Sequence, residues 1–231
     1  MNTEHYQPLA VGLRAARANL IPGLVIQMAM VAIVLTYYFW QPAREWLASL
    51  AEFKRQGGYL FSMLAGMLAG GLLPELLTVA VFQRWRIRHE NLGNLVFGMC
   101  YWGFMGMVVD ATYRAQALMF GPQVDLITVL KKALVDQFII TPLINIPLTV
   151  IVFEWKQQGY RFNGLSRVFS LHFYQRKILP SIISALGFWL PIVLLIYCLP
   201  PLLQFPLFTL ALTLWVMIFT WISHAHKESA L

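Results

Sequence analysis

The feature that most constrains this chain is where its charges are missing. No Asp, Glu, Lys or Arg occurs from Ala18 to Ala43, from Gln56 to Pro74, from Asn91 to Val109, from Gln137 to Phe153, or from Ile178 to His226. These runs are 26, 19, 19, 17 and 49 residues long. A helix needs about 20 apolar residues to cross a ~30 Å hydrocarbon layer, because each residue advances it by only ~1.5 Å. The runs therefore read as membrane spans, which excludes a soluble enzyme.

Charged residues are 12% of the 231, and the 17 Lys plus Arg against 10 acids leave a net charge of +7. In a soluble chain such a balance would point to nucleic acid. Here the cations lie between the hydrophobic runs, as the positive-inside rule requires, so no nucleic-acid partner is expected. The two cysteines, Cys100 and Cys198, fall inside apolar runs and make neither a disulfide framework nor a metal-ligand spacing. The 26-residue run after Arg17 is too long for the apolar core of a cleaved signal and reads as an uncleaved first span.

The expected fold is an all-α polytopic transmembrane helical bundle. Its six spans run near Asn19 to Trp40, Tyr59 to Phe82, Leu92 to Met119, Val124 to Phe153, Leu179 to Leu199 and Leu202 to Ser223. Pro200, Pro201 and Pro206 divide the last uncharged run, because proline lacks the N–H and clashes with the preceding turn. Five spans, with the final hairpin lying shallow, is the alternative. Six spans put both termini on one side, and that side holds 11 of the 17 Lys and Arg. Both termini are thus expected to face the cytoplasm or its topological equivalent.

Two connections carry their own pattern. Gln41 to Gly57 places Trp46, Leu50 and Phe53 at helical spacing, with Arg44, Glu45, Lys54 and Arg55 elsewhere, the signature of an interfacial amphipathic helix. Glu154 to Lys177 mixes aromatics with Arg161, Arg167, Arg176 and Lys177 and is expected to lie on anionic lipids. The domain division that follows is residues 1–57, an additional span with its interfacial helix, and 58–231, the main bundle.

Several polar residues fall inside the spans, where an ionisable group costs about 2.5–3.5 kcal/mol on insertion scales. Asp136 is foremost. Counted from Val124 it lies close to the midplane. Counted from Lys131 and Lys132, as interface markers, it lies about one turn inside. From Gln137 the polar positions recur every four residues, at Gln137, Thr141, Asn145 and Thr149, on one helix face that also carries Pro142 and Pro147 nearby. Such a stripe either lines a hydrated path or joins helices by hydrogen bonds. Asp110 and Arg114 form an i, i+4 pair, read as a surface ion pair, with Arg114 reaching toward Asp136 as the other option. Glu75 either snorkels toward Arg84, Arg86 and Arg88 or serves a function. Gly66 and Gly70, with Gly103 and Gly106, allow close helix packing within or between monomers. Ser181, Ser184, Thr209 and Thr213 read as packing positions too. The five histidines are scattered, and no metal site, cofactor motif or catalytic constellation emerges.

Read in order, three segments resemble one family. They are Gly103-Phe104-Met105-Gly106 followed by Tyr113-Arg114; Asp125 to Pro142, with its Asp136-Gln137 pair; and Trp189, Pro191, Pro200 and Trp215. Over roughly Ser62 to His226 the chain resembles the Mpv/PMP family, that of the twenty-two-kilodalton peroxisomal membrane protein and its mitochondrial inner-membrane relative. Leu195, Gln204 and Val216 stand where that family has Asn, Arg and Asn, which marks a divergent member. The resemblance implies channel-like passage of small solutes. It also implies a peroxisomal or mitochondrial inner membrane for a eukaryotic chain, and an inner membrane for a bacterial one. The leading expectation is a weakly selective channel or pore, gated by Asp136 protonation or by the membrane. The alternative is a non-transporting accessory or organising subunit of a membrane complex. On either reading the expected partners are further copies of the chain or a membrane complex.

Overall fold

A computed structural model describes residues 8–18, 20–161 and 165–228. Asn19, Phe162 and the first seven residues, including His5, lie outside the described residues, as do the side chains of His224 and His226. Among the described residues the chain is all-helical, without a strand. Seven helices follow one another: α1 (Pro8–Ala18), α2 (Leu20–Phe39), α3 (Gln41–Phe82), α4 (His89–Phe120), α5 (Leu126–Gln157), α6 (Leu171–Tyr197) and α7 (Pro201–Glu228). Four of them, α3 to α6, are long and apolar enough to cross a membrane. The apolar stretches Gly23–Phe39 and Pro201–Met217 are shorter. This is compatible with an integral membrane protein.

The outer surface supports that reading. Leu118, Leu126 and Leu143 are each more than 70% exposed, whereas Lys54, Asp110, Gln116, Asp136 and Gln137 are buried. Water would penalise that inversion, since ionisable side chains are almost never fully buried unless paired, and large contiguous apolar patches are unusual on soluble monomers. The apolar core lies between α2, α4, α6 and α7, through Ile26 and Met30, Val109 and Tyr113, Ile192 and Ile196, and Phe205 and Ala211.

The expected interfacial helix and second span are one helix with a bend. At Gly58 the backbone takes φ 53 and ψ −131, a left-handed conformation open to glycine and strained for other residues. Trp46 and Phe53 are exposed, but the inward face is set by Leu47 and Lys54, so grouping Lys54 with the polar side of an interfacial helix was incorrect.

Beyond the bend, α3 and α4 meet backbone to backbone. A Cβ built on Gly66 would stand 2.3 Å from the Trp102 carbonyl oxygen, and one on Gly106 would stand 2.3 Å from that of Ser62. Gly70 makes room for the Trp102 ring, and Gly103 for Met67. The glycines therefore serve packing inside one chain.

Three of the long helices widen locally into π turns, at Met67–Leu72, Asp136–Asn145 and Tyr174–Ile178, and α3 does so again at Thr78–Phe82. Pro74, Pro142, Pro147 and Pro180 give the first three their reason. Each proline lacks the N–H that would bond four residues back, at Gly70, Phe138, Leu143 and Arg176, and each of those residues lies inside a π segment. The Thr78–Phe82 segment has no such proline.

Candidate functional site

Helices α3 to α7 line a partly open cavity of about 790 Å³. The whole polar stripe lines it: Gln137, Thr141, Asn145 and Thr149, with Asp136 toward one end of α5 and Lys156 toward the other. Across from the stripe stand aromatic walls, Trp102 from α4, Phe188 and Trp189 from α6, Phe208 and Trp215 from α7. The charged residues among its lining are Glu75, Asp136 and Lys156.

The winding of α5 explains why the stripe stays on one wall. Four residues on an α-helix overshoot one turn of 3.6. On the wider i→i+5 winding four residues fall short of a turn. Gln137, Thr141 and Asn145 lie on the π segment, and Thr149 on the α-helical continuation, so the two drifts oppose each other.

Asp136 is 6% exposed and sits at the centre of a polar cluster. The Tyr197 hydroxyl donates to its Oδ2 at 2.7 Å, and Gln116 Nε2 donates to the Tyr197 oxygen at 2.6 Å and lies 3.5 Å from the same Oδ2. Gln137 Nε2 and the Thr141 hydroxyl donate to Oδ1 at 3.1 and 3.4 Å. Gln116 stands four residues before Phe120, the end of α4, and Tyr197 is the last residue of α6. The cluster therefore meets α4 about one turn from its end and α6 at its end, while Asp136 itself lies ten residues into α5. Lys131 is exposed but Lys132 is buried, so the two do not act as a pair of interface markers.

The opposite end of the cavity is built from Glu75, Asn94 and Lys156. Asn91 Nδ2 donates to Glu75 Oε1 and Lys156 Nζ donates to Asn94 Oδ1 at 2.8 Å, with its ammonium 4.5 Å from the centre of the Phe97 ring. Glu75 is held by an asparagine of α4, and none of Arg84, Arg86 and Arg88 forms an ion pair with it among the described residues. Along the stripe, Tyr101 donates to Thr149 Oγ1 at 2.6 Å, and Thr149 donates to the Asn145 carbonyl.

Asp110 and Arg114 belong elsewhere. Their pair forms, at 3.1 Å, but Asp110 is buried, and its shortest contact is Lys54 Nζ at 2.7 Å, with Ser62 Oγ at 2.8 Å. Reading it as a surface pair was thus incorrect. Arg114 lies over Tyr59 at 4.6 Å, and its ion pair among the described residues is with Asp110, so the option of Arg114 reaching Asp136 is not realised. Lys54 also bonds the Gly58 carbonyl, which places this ion cluster at the bend of α3.

Ser181 and Ser184 line the cavity. The hydroxyls of Ser181, Thr209 and Thr213 bond carbonyls four residues back on their own helices, so they do not join helices. Sequence reasoning missed Tyr197, Gln116, Lys54 and Lys156. Tyr197 carried a signal: it is the one tyrosine in the 49-residue uncharged run. Among the described residues no three His, Cys, Asp or Glu side chains converge. No protein-family model, curated protein or solved structure matches the chain.

Proposed function

We propose that the chain is an integral membrane protein of six spans, with α2 and α7 completing the four longer ones, and that it forms a weakly selective channel for small solutes. The observation that carries this is the alignment of Gln137, Thr141, Asn145 and Thr149 along a partly open cavity that Asp136 also lines. A cavity of about 790 Å³ is in the range that takes organic molecules, roughly 300–1,000 Å³. In this reading the Asp136–Tyr197–Gln116 cluster closes the end near the α4–α5 connection, and solutes enter past Glu75 and Lys156. The excess of Lys and Arg on the side of the termini supports a cytoplasmic location for that entrance. The resemblance of residues 62–226 to the Mpv/PMP family supports the same reading, with this chain as a divergent member.

Reconstitution in liposomes tests it. Solute flux above that of empty liposomes is expected, and it should change with Asp136→Asn and fall with Asn145→Leu. Flux equal to empty liposomes refutes the channel.

One observation favours a second reading, a non-transporting accessory or organising subunit. Asp136 and Thr149 are bonded across helices, by Tyr197 of α6 and Tyr101 of α4, as helix-joining residues would be. Co-purification of a stoichiometric partner complex, with both substitutions lowering only thermal stability, would select that reading.

A further inference from the structure

We propose that the Asp136 cluster is a binding site for one alkali-metal cation. Its hydrogen bonds are out of balance. The donors in the cluster go to the carboxylate, to Tyr197 and, from Gln137, to the Thr141 hydroxyl, which leaves two acceptors stranded. Gln116 Oε1 and Gln137 Oε1 are buried, have no partner among the described residues, and belong to side chains only 1% exposed. A buried amide oxygen without a donor is costly, and a half-satisfied network is worse than an apolar one.

Both amides have a second orientation. Rotating a glutamine amide by half a turn exchanges its nitrogen and oxygen with almost no change in shape. In Gln116 and Gln137 that rotation would bring the oxygens to where the nitrogens now meet Asp136 and Tyr197. Against a bare carboxylate this is repulsive. Around a cation it is a coordination shell of Asp136 Oδ1 and Oδ2, Gln116 Oε1, Gln137 Oε1, Thr141 Oγ1 and Tyr197 Oη. The set is all oxygen, which selects hard cations over soft ones. It carries one negative charge, so a monovalent ion neutralises it, whereas a divalent ion would leave a buried positive charge.

A second, independent feature supports the site. The π segment of α5 begins at Asp136, and two prolines interrupt the backbone bonding beyond it. Cation sites in transporters form at such breaks, where backbone winding departs from α. Asp136 also lines the cavity, which gives the ion a path. The site itself stands on this geometry, and only its role as a gate rests on the channel reading. Bound cation and donor-inward glutamines are alternative states of one cluster, so ion occupancy would set whether Tyr197 stays tied to Asp136.

The test is thermal unfolding of the purified protein in detergent, with NaCl or KCl replacing choline chloride at constant ionic strength and fixed pH. A saturable rise in Tm with at least one alkali ion is expected, of about 5 °C at a hundredfold excess over Kd. Asp136→Asn should abolish the rise. Gln137→Leu, which keeps the charge, should weaken the apparent affinity by about tenfold. Equal Tm in all three salts overturns the proposal, as does a rise that persists in Asp136→Asn. If liposome flux is absent while the salt dependence holds, the channel fails and the cation site stands. Flux with no salt dependence gives the reverse.

Discussion

Replacing Gly106 with alanine tests the contact that sets the shape of the bundle. The added Cβ would stand 2.3 Å from the Ser62 carbonyl oxygen, where ordinary contact begins at 3.4 Å. The shortfall is about 1.1 Å, the difference of those two distances, and both sides of the contact are helical backbone, so no rotamer relieves it. The helices must separate, and a gap of ~0.5–1 Å already forfeits a quarter to a half of each dispersion contact along the seam. Overpacking of this kind costs about 1–3 kcal/mol. For a chain of this size that lowers Tm by about 3–10 °C. Gly93, on the same helix, has nothing within 4 Å of its would-be Cβ. Alanine there should stabilise by about 0.5–1 kcal/mol through helix propensity alone. Melting of the detergent-solubilised protein, followed by tryptophan fluorescence, reads both. The reasoning fails if Gly106→Ala melts with the wild type, or if the two variants lose stability equally.

Other outcomes follow from the same geometry. Asp110→Asn should destabilise by about 3–5 kcal/mol, because it strands the buried Lys54 ammonium, and Lys54→Met combined with Asp110→Leu should recover much of the loss in the same melt. Tyr197→Phe removes a donor to Asp136 and an acceptor for Gln116, so it should cost about 1–3 kcal/mol and raise basal flux, read in melts and in liposomes. Pro142→Leu should let α5 return to α winding and turn the stripe away from the cavity, lowering flux; unchanged flux with unchanged stability would count against the winding argument. At the start of α5 hydrogen bonding from the Thr128 side chain, and then from its backbone amide, holds the Asp125 carboxyl below the usual range. A depressed carboxylate stabilises the fold above its unfolded pKa and loses that contribution as pH falls through the folded value. The Tm difference between wild type and Asp125→Ala should therefore be constant near neutrality and shrink below about pH 4.

Long charge-free runs made the helical class legible, because lipid accepts only backbones whose hydrogen bonds close internally. The stripe from Gln137 to Thr149 was legible too, although its spacing was read on α winding and the structure reaches the same wall through a π segment. The partners that Asp136 and Asp110 find on other helices were hidden for a physical reason: they lie 20 to 61 residues away, and no local spacing encodes them. Lys54 misled because an amphipathic pattern sorts side chains by polarity, and a cation with a buried partner violates the sort. The bend at Gly58 was likewise unseen, since a glycine pair at a span boundary does not reveal which way the chain turns.

The glycine seam also sets where the molecule is stiff. At Gly66 and Gly106 backbone meets backbone, so no rotamer change opens the α3–α4 contact there. The opposite wall, α5, carries two prolines and a π segment instead. On the channel reading proposed above, a change of bore would come from that wall sliding past a stationary one, a sluice rather than an iris.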